Sequence, residues 1–181
     1  MSALDHLAEM VAGTFRVRAQ GNSLVLSEPD QEDYLLSVNS KYFALTLDVK
    51  AKKGSGVVAL PFLNQDHPGL CCKCDLIVFV PKDEGETLVL LIELKSLNVT
   101  GYLEQLRSSR AFAAYLAELG KIHGHDLGKL NFKGVLIRSR KIPAKGSTRM
   151  PKVSYQMRNG LEVCEWDRTY PLGLHHLLQA A

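Results

Sequence analysis

Three charged residues stand at the ends of two apolar stretches of the sequence. Asp75 directly precedes the run LIVFV, while Glu93 and Lys95 close the run LVLLIELK with only Leu94 between them. Side chains alternate faces along a β-strand, so Glu93 and Lys95 share one face, about 7 Å apart. Residues 88–92 are all apolar, which is typical of a strand that is buried on both faces. The opposite charges at the end of such a strand therefore mark a candidate catalytic or binding site.

The two apolar runs, residues 74–80 and 87–95, predict an antiparallel hairpin because the segment PKDEGE between them is rich in turn-forming residues. This pairing brings Asp75 to the same edge of the sheet as Glu93 and Lys95. Two carboxylates there suit Mg²⁺, which prefers oxygen ligands and keeps several waters. The lysine offers a positive charge to a phosphate and could orient or deprotonate an attacking water. The alternative is a surface salt bridge that marks where the strand emerges into water.

The elements around the hairpin predict a mixed α/β fold with one central β-sheet flanked by helices. Residues 101–120 have the apolar spacing of a long amphipathic helix, and residues 132–137 form a further apolar strand. Such a strand–helix–strand step favours a parallel pair with a right-handed crossover. The chain of 181 residues suits one domain, residues 1–181, with its core at about 42–140.

The remaining patterns predict shorter elements on either side. We expect helices over 2–12 and 172–181, a hairpin of 14–19 with 23–27, a helical turn early in 28–40, a strand over 42–49 and an outer strand over 161–166.

The arrangement of Asp75 and Glu93-Leu94-Lys95 resembles the signature of the PD-(D/E)XK nuclease superfamily, which has restriction-endonuclease-like folds. That signature is an acidic residue at a strand start, a hairpin turn, and (D/E)-x-K at the end of the next strand. The family core is written αβββαβ, and residues 42–137 match its βββαβ part. Many members also carry a glutamine in the following helix, where Gln105 stands.

The resemblance implies a Mg²⁺-dependent phosphodiesterase, with Mn²⁺ as an alternative cofactor. Asp75, Glu93 and the Leu94 carbonyl would be the metal ligands, Lys95 would position the water, and Gln105 would support the site or contact substrate. Cys74 replaces the proline that often precedes the family's aspartate. The additional acidic ligand of many relatives has no secure counterpart. The candidates for it are Glu9, Glu28, Glu32 and Asp33.

A basic segment, residues 121–158, holds 10 Lys and Arg against a single acidic residue, although the whole chain has a net charge of only +3. Such a segment can neutralise phosphates, although a solvated loop is the alternative. With Arg107 and Arg110 of the predicted helix, it predicts contacts to nucleic acid, DNA before RNA. The predicted nucleic-acid contacts are Arg107, Arg110, Arg138, Arg140, Lys141, Lys145 and Arg149. A homodimer and a partner protein that supplies targeting are further expectations.

The composition is that of an ordinary globular domain, 46% hydrophobic and 23% charged. No apolar run is long enough to cross a bilayer and the start lacks a secretory pattern, so we expect a cytoplasmic protein. The spacing of Cys71, Cys72, Cys74 and Cys164 favours buried reduced thiols over a metal or redox site. The leading hypothesis is a DNA endonuclease, and the alternative is a catalytically inactive nucleic-acid-binding or assembly module on the same fold.

Overall fold

The computed structural model describes residues 3–27, 32–49, 60, 62–64, 66–82, 85–96, 98–139 and 150–181. Its helices are α1 (Ala3–Met10), α2 (Tyr102–Ile122) and α3 (Leu174–Gln179). Its strands are β1 (Arg16–Val17), β2 (Ser23–Leu26), β3 (Tyr34–Ser37), β4 (Phe43–Leu45), β5 (Leu76–Pro81), β6 (Glu86–Lys95), β7 (Lys129–Arg138), β8 (Tyr155–Arg158), β9 (Leu161–Asp167) and β10 (Leu172–Gly173).

A seven-stranded mixed sheet in the order β1-β4-β5-β6-β7-β9-β8 forms the centre of the molecule. The pairs β6–β7 and β7–β9 are parallel, and the other pairs of this sheet are antiparallel. The mixed α/β class is therefore confirmed. The β5–β6 hairpin and the parallel β6–α2–β7 crossover are also as predicted, because both are specified by local features: a turn-rich link and an amphipathic helix between apolar strands.

Each face of the large sheet is buried under a different layer. Helices α1 and α2 cover one face, where Phe79, Leu91 and Val163 pack with Leu106 and other apolar side chains. A three-stranded sheet, β10-β3-β2, and α3 cover the other face. This two-sided burial explains why β6 has a run of consecutive apolar residues and no alternation over 88–92.

Gly134 in the middle of β7 allows α2 to approach the sheet closely. A Cβ atom at this position would lie 2.9 Å from Leu106 Cδ1 and 3.1 Å from Val163 Cγ2. The side chain of Leu106 fills the space that a larger residue would occupy. Helix α2 connects the end of β6 to the start of β7 and therefore runs antiparallel to both strands. The contact between Leu106 and Gly134 thus places the first turns of α2 near the carboxyl ends of β6 and β7.

Two local predictions were wrong, and a third lies outside the described residues. Residues 14–19 and 23–27 do not form a hairpin, because β1 pairs with β4 and β2 pairs with β3, with only an isolated bridge between Gln20 and Ser23. The helical turn predicted at the start of 28–40 falls on residues 28–31, outside the described residues, and residues 34–37 of that segment form β3. Strand β9 is not an outer strand, since it lies between β7 and the edge strand β8. An alternating pattern marks a strand but does not identify its neighbours.

The strand predicted over 42–49 is shorter than expected, Phe43–Leu45, although Leu47 beyond it is still buried. In the part of the chain that the structure describes, no helix is both long and apolar enough to cross a membrane.

Candidate active site at the carboxyl end of the parallel strands

The fold brings Asp75, Glu93 and Lys95 together. The hairpin register pairs Leu76 with Ile92, which sets Asp75 beside the end of β6. Its Oδ2 accepts a hydrogen bond of 2.6 Å from the backbone N–H of Leu94. Lys95 Nζ lies 2.7 Å from Glu93 Oε1. The three residues that the sequence selected therefore form one contiguous cluster at the end of the hairpin.

Glu93 is an unusual residue in this cluster because its carboxyl group is buried, with only 1% of the residue exposed. One oxygen pairs with Lys95, and the other, Oε2, is buried with no hydrogen-bond partner. Burial first and the negative charge of Asp75 second raise the pKa of Glu93 to about 7, although contact with Lys95 opposes both. Leaving a buried acceptor unsatisfied costs about 1–3 kcal/mol, so this oxygen is held in a state that favours a proton or a cation.

Helix α2 fixes the segment that leads into Asp75. Gln105 Nε2 donates a hydrogen bond of 3.1 Å to the carbonyl of Lys73. One helical turn later, the buried Ser109 Oγ accepts a hydrogen bond of 2.8 Å from the backbone N–H of Cys74. The amide of Gln105 is therefore bound to the backbone two residues before Asp75.

Asp48 is a neighbouring acidic residue that the sequence reasoning missed. Asp48 and Asp75 line the same surface opening, whose volume is about 270 Å³. Asp48 Oδ1 also lies 3.4 Å from Lys73 Nζ. The signal was present, since Asp48 stands just beyond the apolar run that contains β4, the strand that pairs with β5.

The four acidic candidates for an additional ligand are placed differently. Glu9 on α1 lies 3.7 Å from His6 Nδ1. Asp33 accepts a hydrogen bond from Ser27, which lines the opening shared by Asp48 and Asp75. Glu32 is exposed, and Glu28 lies outside the described residues.

The arginines and lysines predicted to contact nucleic acid lie in different parts of the molecule. Arg138 ends β7 and pairs in register with Lys95, so it lies at the same end of the sheet. Arg107 is exposed on α2. Arg110 lies toward the opposite end, where its guanidinium donates to the carbonyl of Gly160 at 2.8 Å and stacks over the Phe132 ring. Arg140, Lys141, Lys145 and Arg149 lie outside the described residues.

The cysteines are free thiols. Cys74 and Cys164 are buried, whereas Cys71 and Cys72 are half-buried. Burial raises the pKa of Cys74 to about 12, which keeps its sulfur protonated and makes it a poor metal ligand. Trp166 is buried in the core, and its indole N–H donates to the carbonyl of Tyr170.

The side chains available to a metal ion at this site are two carboxylates, Asp75 and Glu93. Among the described residues, no group of three or more His, Cys, Asp and Glu side chains is arranged around one point. Comparison with protein-family models, with curated proteins and with solved structures found no match to this chain.

Proposed function

We propose that this protein is a metal-dependent nuclease that hydrolyses phosphodiester bonds of nucleic acid, and that its substrate is DNA. We also propose that β4, β5, β6, α2 and β7 correspond to the βββαβ part of a restriction-endonuclease-like core, with α1 as its first helix. In support, α1 packs with α2 on the face of the sheet that carries Glu93, and the order β4-β5-β6-β7 is that of a hairpin extended by a parallel crossover.

The observation that carries this proposal is the state of Glu93. A carboxylate buried without a partner for one oxygen, next to a second carboxylate, is costly for folding. Such a cost is expected at sites where a charge is needed for chemistry. A purely structural ion pair would gain nothing from the unpaired Oε2 or from the nearness of Asp75.

The residues present fit Mg²⁺ or Mn²⁺, which prefer carboxylate oxygens. Asp75 and Glu93 would hold the ion, with the Leu94 carbonyl as a further ligand and water completing the set. When bound, the ion would polarise the phosphate and lower the pKa of a water. Binding of the ion would release the proton of the Glu93 carboxyl group, because a carboxyl group must be deprotonated to act as a metal ligand.

The chain's own residues would position the reactants. Lys95, held by Glu93, would keep its ammonium beside the scissile phosphate, orient the attacking water and stabilise the added negative charge. The water oxygen would bond to phosphorus and give up a proton to solvent, the bond to one ester oxygen would break, and that oxygen would take up a proton from solvent. Gln105 acts as a positioning residue, since it holds the backbone that leads into Asp75.

Cleavage of a mixed panel of duplex, branched and single-stranded DNA and RNA with Mg²⁺ or Mn²⁺ tests the proposal. The variants Asp75→Asn and Lys95→Met are expected to lower kcat by at least about 100-fold, in the range of lost acid–base and electrostatic groups. Lys133→Met is the matched control, because Lys133 Nζ also forms an ion pair, with Glu162, but lies on the opposite face of the sheet.

The outcomes separate the enzyme from a binding module. Loss of cleavage in both site variants, with Lys133→Met unchanged and all three folded, supports a nuclease at this site. If the wild type cleaves nothing and calorimetry finds no Mg²⁺ or Mn²⁺ bound, the enzyme proposal fails, and a nucleic-acid-binding or assembly module on this fold replaces it. Size-exclusion chromatography with light scattering tests the proposed homodimer.

A further inference from the structure

Two arginines converge on one carboxylate beside the candidate active site. Arg138 Nη2 lies 2.6 Å from Glu165 Oε2, and Arg158 Nη1 lies 2.5 Å from Glu165 Oε1. Arg158 Nη1 also donates to the hydroxyl of Tyr102 in the first turn of α2, at 2.6 Å. Each oxygen of Glu165 thus holds a different guanidinium. The group of Arg138, Arg158, Glu165 and Tyr102 is called the arginine cluster below.

The arginine cluster lies on the same end and the same face of the sheet as Glu93 and Lys95. The register across the parallel strands pairs Lys95 with Arg138, and it connects Glu93 to Glu165 through one residue of β7. Adjacent strands lie about 4.8 Å apart, so the backbone at Glu165 is about 10 Å from that at Glu93. One strand of duplex DNA rises about 3.4 Å per nucleotide along the helix axis and its phosphates are farther apart than this rise, so the span covers at most about three nucleotides.

The arginine cluster has the chemistry of an anion site. Two guanidiniums share the single carboxylate of Glu165. The buried Nε of Arg138 has no hydrogen-bond partner in the described part of the chain. The side chains of Arg138 and Arg158 are each 32% exposed, so solvent reaches them although their positions are fixed. A guanidinium that is already held in place loses little side-chain entropy on binding a phosphate.

We propose that Arg138 and Arg158, positioned by Glu165, bind a backbone phosphate of the substrate within about three nucleotides of the scissile phosphate. The inference rests on the proposed function, because it takes the cluster of Asp75, Glu93 and Lys95 as the place of cleavage. Arg158 was not among the predicted contacts, since its strand position alone gives no reason to expect it at this end. Its side chain reaches toward Glu165 from the edge strand.

The test is binding and cleavage of the best substrate from the panel by the variant Arg138→Met/Arg158→Met. Binding is measured by fluorescence anisotropy in EDTA over a series of salt concentrations. We expect Kd to rise about tenfold, and the slope of log Kd against log salt to fall by about 0.9 for one lost phosphate contact. In cleavage, KM should rise about tenfold while kcat stays within about twofold, because the bound phosphate is not the reacting one.

Lys133→Met is the matched control. Lys133 Nζ also forms an ion pair, with Glu162 of β9, but on the opposite face of the sheet, so its loss should leave the salt slope unchanged. Arg158→Gln, which keeps Arg138 paired with Glu165, gives the same test if the double variant does not fold. Urea unfolding of each variant measures the structural contribution of the ion pairs separately.

Each outcome bears on a different claim. A folded double variant with wild-type Kd, salt slope and KM overturns the inference and makes the arginine cluster purely structural. An equal loss in Lys133→Met also overturns it, since general positive charge would then explain binding. If the wild type binds but does not cleave, and the salt slope still falls only in the double variant, the phosphate site stands while the nuclease proposal fails.

Discussion

Replacing Glu93 with glutamine should make the metal-free protein more stable at neutral and alkaline pH. The pKa of Glu93 is raised from 4.5 to about 7 in the folded protein, first by burial and then by the charge of Asp75. Between those two values the folded protein holds a proton that the unfolded chain has released. The free energy of unfolding therefore falls as pH rises from 4.5 to 7, and this contribution to stability is fully present only below 4.5.

The size of the effect follows from the same two values. Each pKa unit corresponds to about 1.4 kcal/mol, so ionisation of Glu93 costs the folded state about 3 kcal/mol by pH 8. Glutamine has nearly the same shape and carries no titrating proton. Between pH 4.5 and pH 8, the unfolding free energy of the wild type should therefore fall by about 3 kcal/mol relative to that of Glu93→Gln. For a chain of this size, such a difference corresponds to a shift of about 6–12 °C in the melting temperature.

Urea unfolding at a series of pH values between 4.5 and 8, with EDTA present, measures this difference directly. Glu118→Gln on the exposed side of α2 is the control for removing one negative charge. A difference that does not change with pH, or one that shrinks as pH rises, would refute the reasoning. Added Mg²⁺ should then stabilise the wild type but not Glu93→Gln, because a ligand stabilises only the state that binds it.

Three further predictions concern metal binding at Glu93 and the structural roles of Ser109 and Gly128. The affinity for Mg²⁺, measured by calorimetry, should fall about tenfold per pH unit below 7, since Glu93 must lose its proton to bind. Ser109→Ala should lower the unfolding free energy by about 1–3 kcal/mol, because the buried N–H of Cys74 loses its acceptor. Gly128→Ala should lower it by more than about 3 kcal/mol or prevent folding. Its φ is +70°, and a Cβ would lie 1.7 Å from Gly85 O.

The outcomes that would contradict these expectations are specific. A pH-independent Mg²⁺ affinity between 5 and 7 would show that Glu93 is not a ligand. An unfolding midpoint in Ser109→Ala equal to that of Ser108→Ala, its neighbour on α2, would show that the Cys74 N–H finds another acceptor. A soluble Gly128→Ala with wild-type stability would mean that the close approach of the two loops is dispensable.

The hairpin and the crossover could be predicted from the sequence because their determinants are local. A turn-rich link between two apolar runs specifies β5 and β6, and the apolar spacing of residues 101–120 specifies α2. The grouping of Asp75, Glu93 and Lys95 followed from the period of two along a strand and from antiparallel pairing. These steps require no knowledge of distant parts of the chain.

The partners of β2, β3 and β9 could not be predicted in this way. Strand β2 alternates as a half-buried strand does. It pairs with β3, and its apolar side chains cover the second face of the large sheet. Strand β9 becomes internal because β8 adds to its outer side. The alternation is the same whichever neighbour a strand has, so only the whole set of buried faces decides the pairing.

For the candidate site, the sequence alone determined which charged residues end the hairpin and therefore lie together. Only the tertiary structure decided that Glu93 is buried with an unpaired oxygen, that Asp48 shares the opening with Asp75, and that Arg158 reaches Glu165 from the edge strand. Burial, electrostatic coupling and long side-chain contacts depend on elements that are far apart in the chain. A local pattern fixes the type and order of residues, whereas their solvation is set by what packs over them.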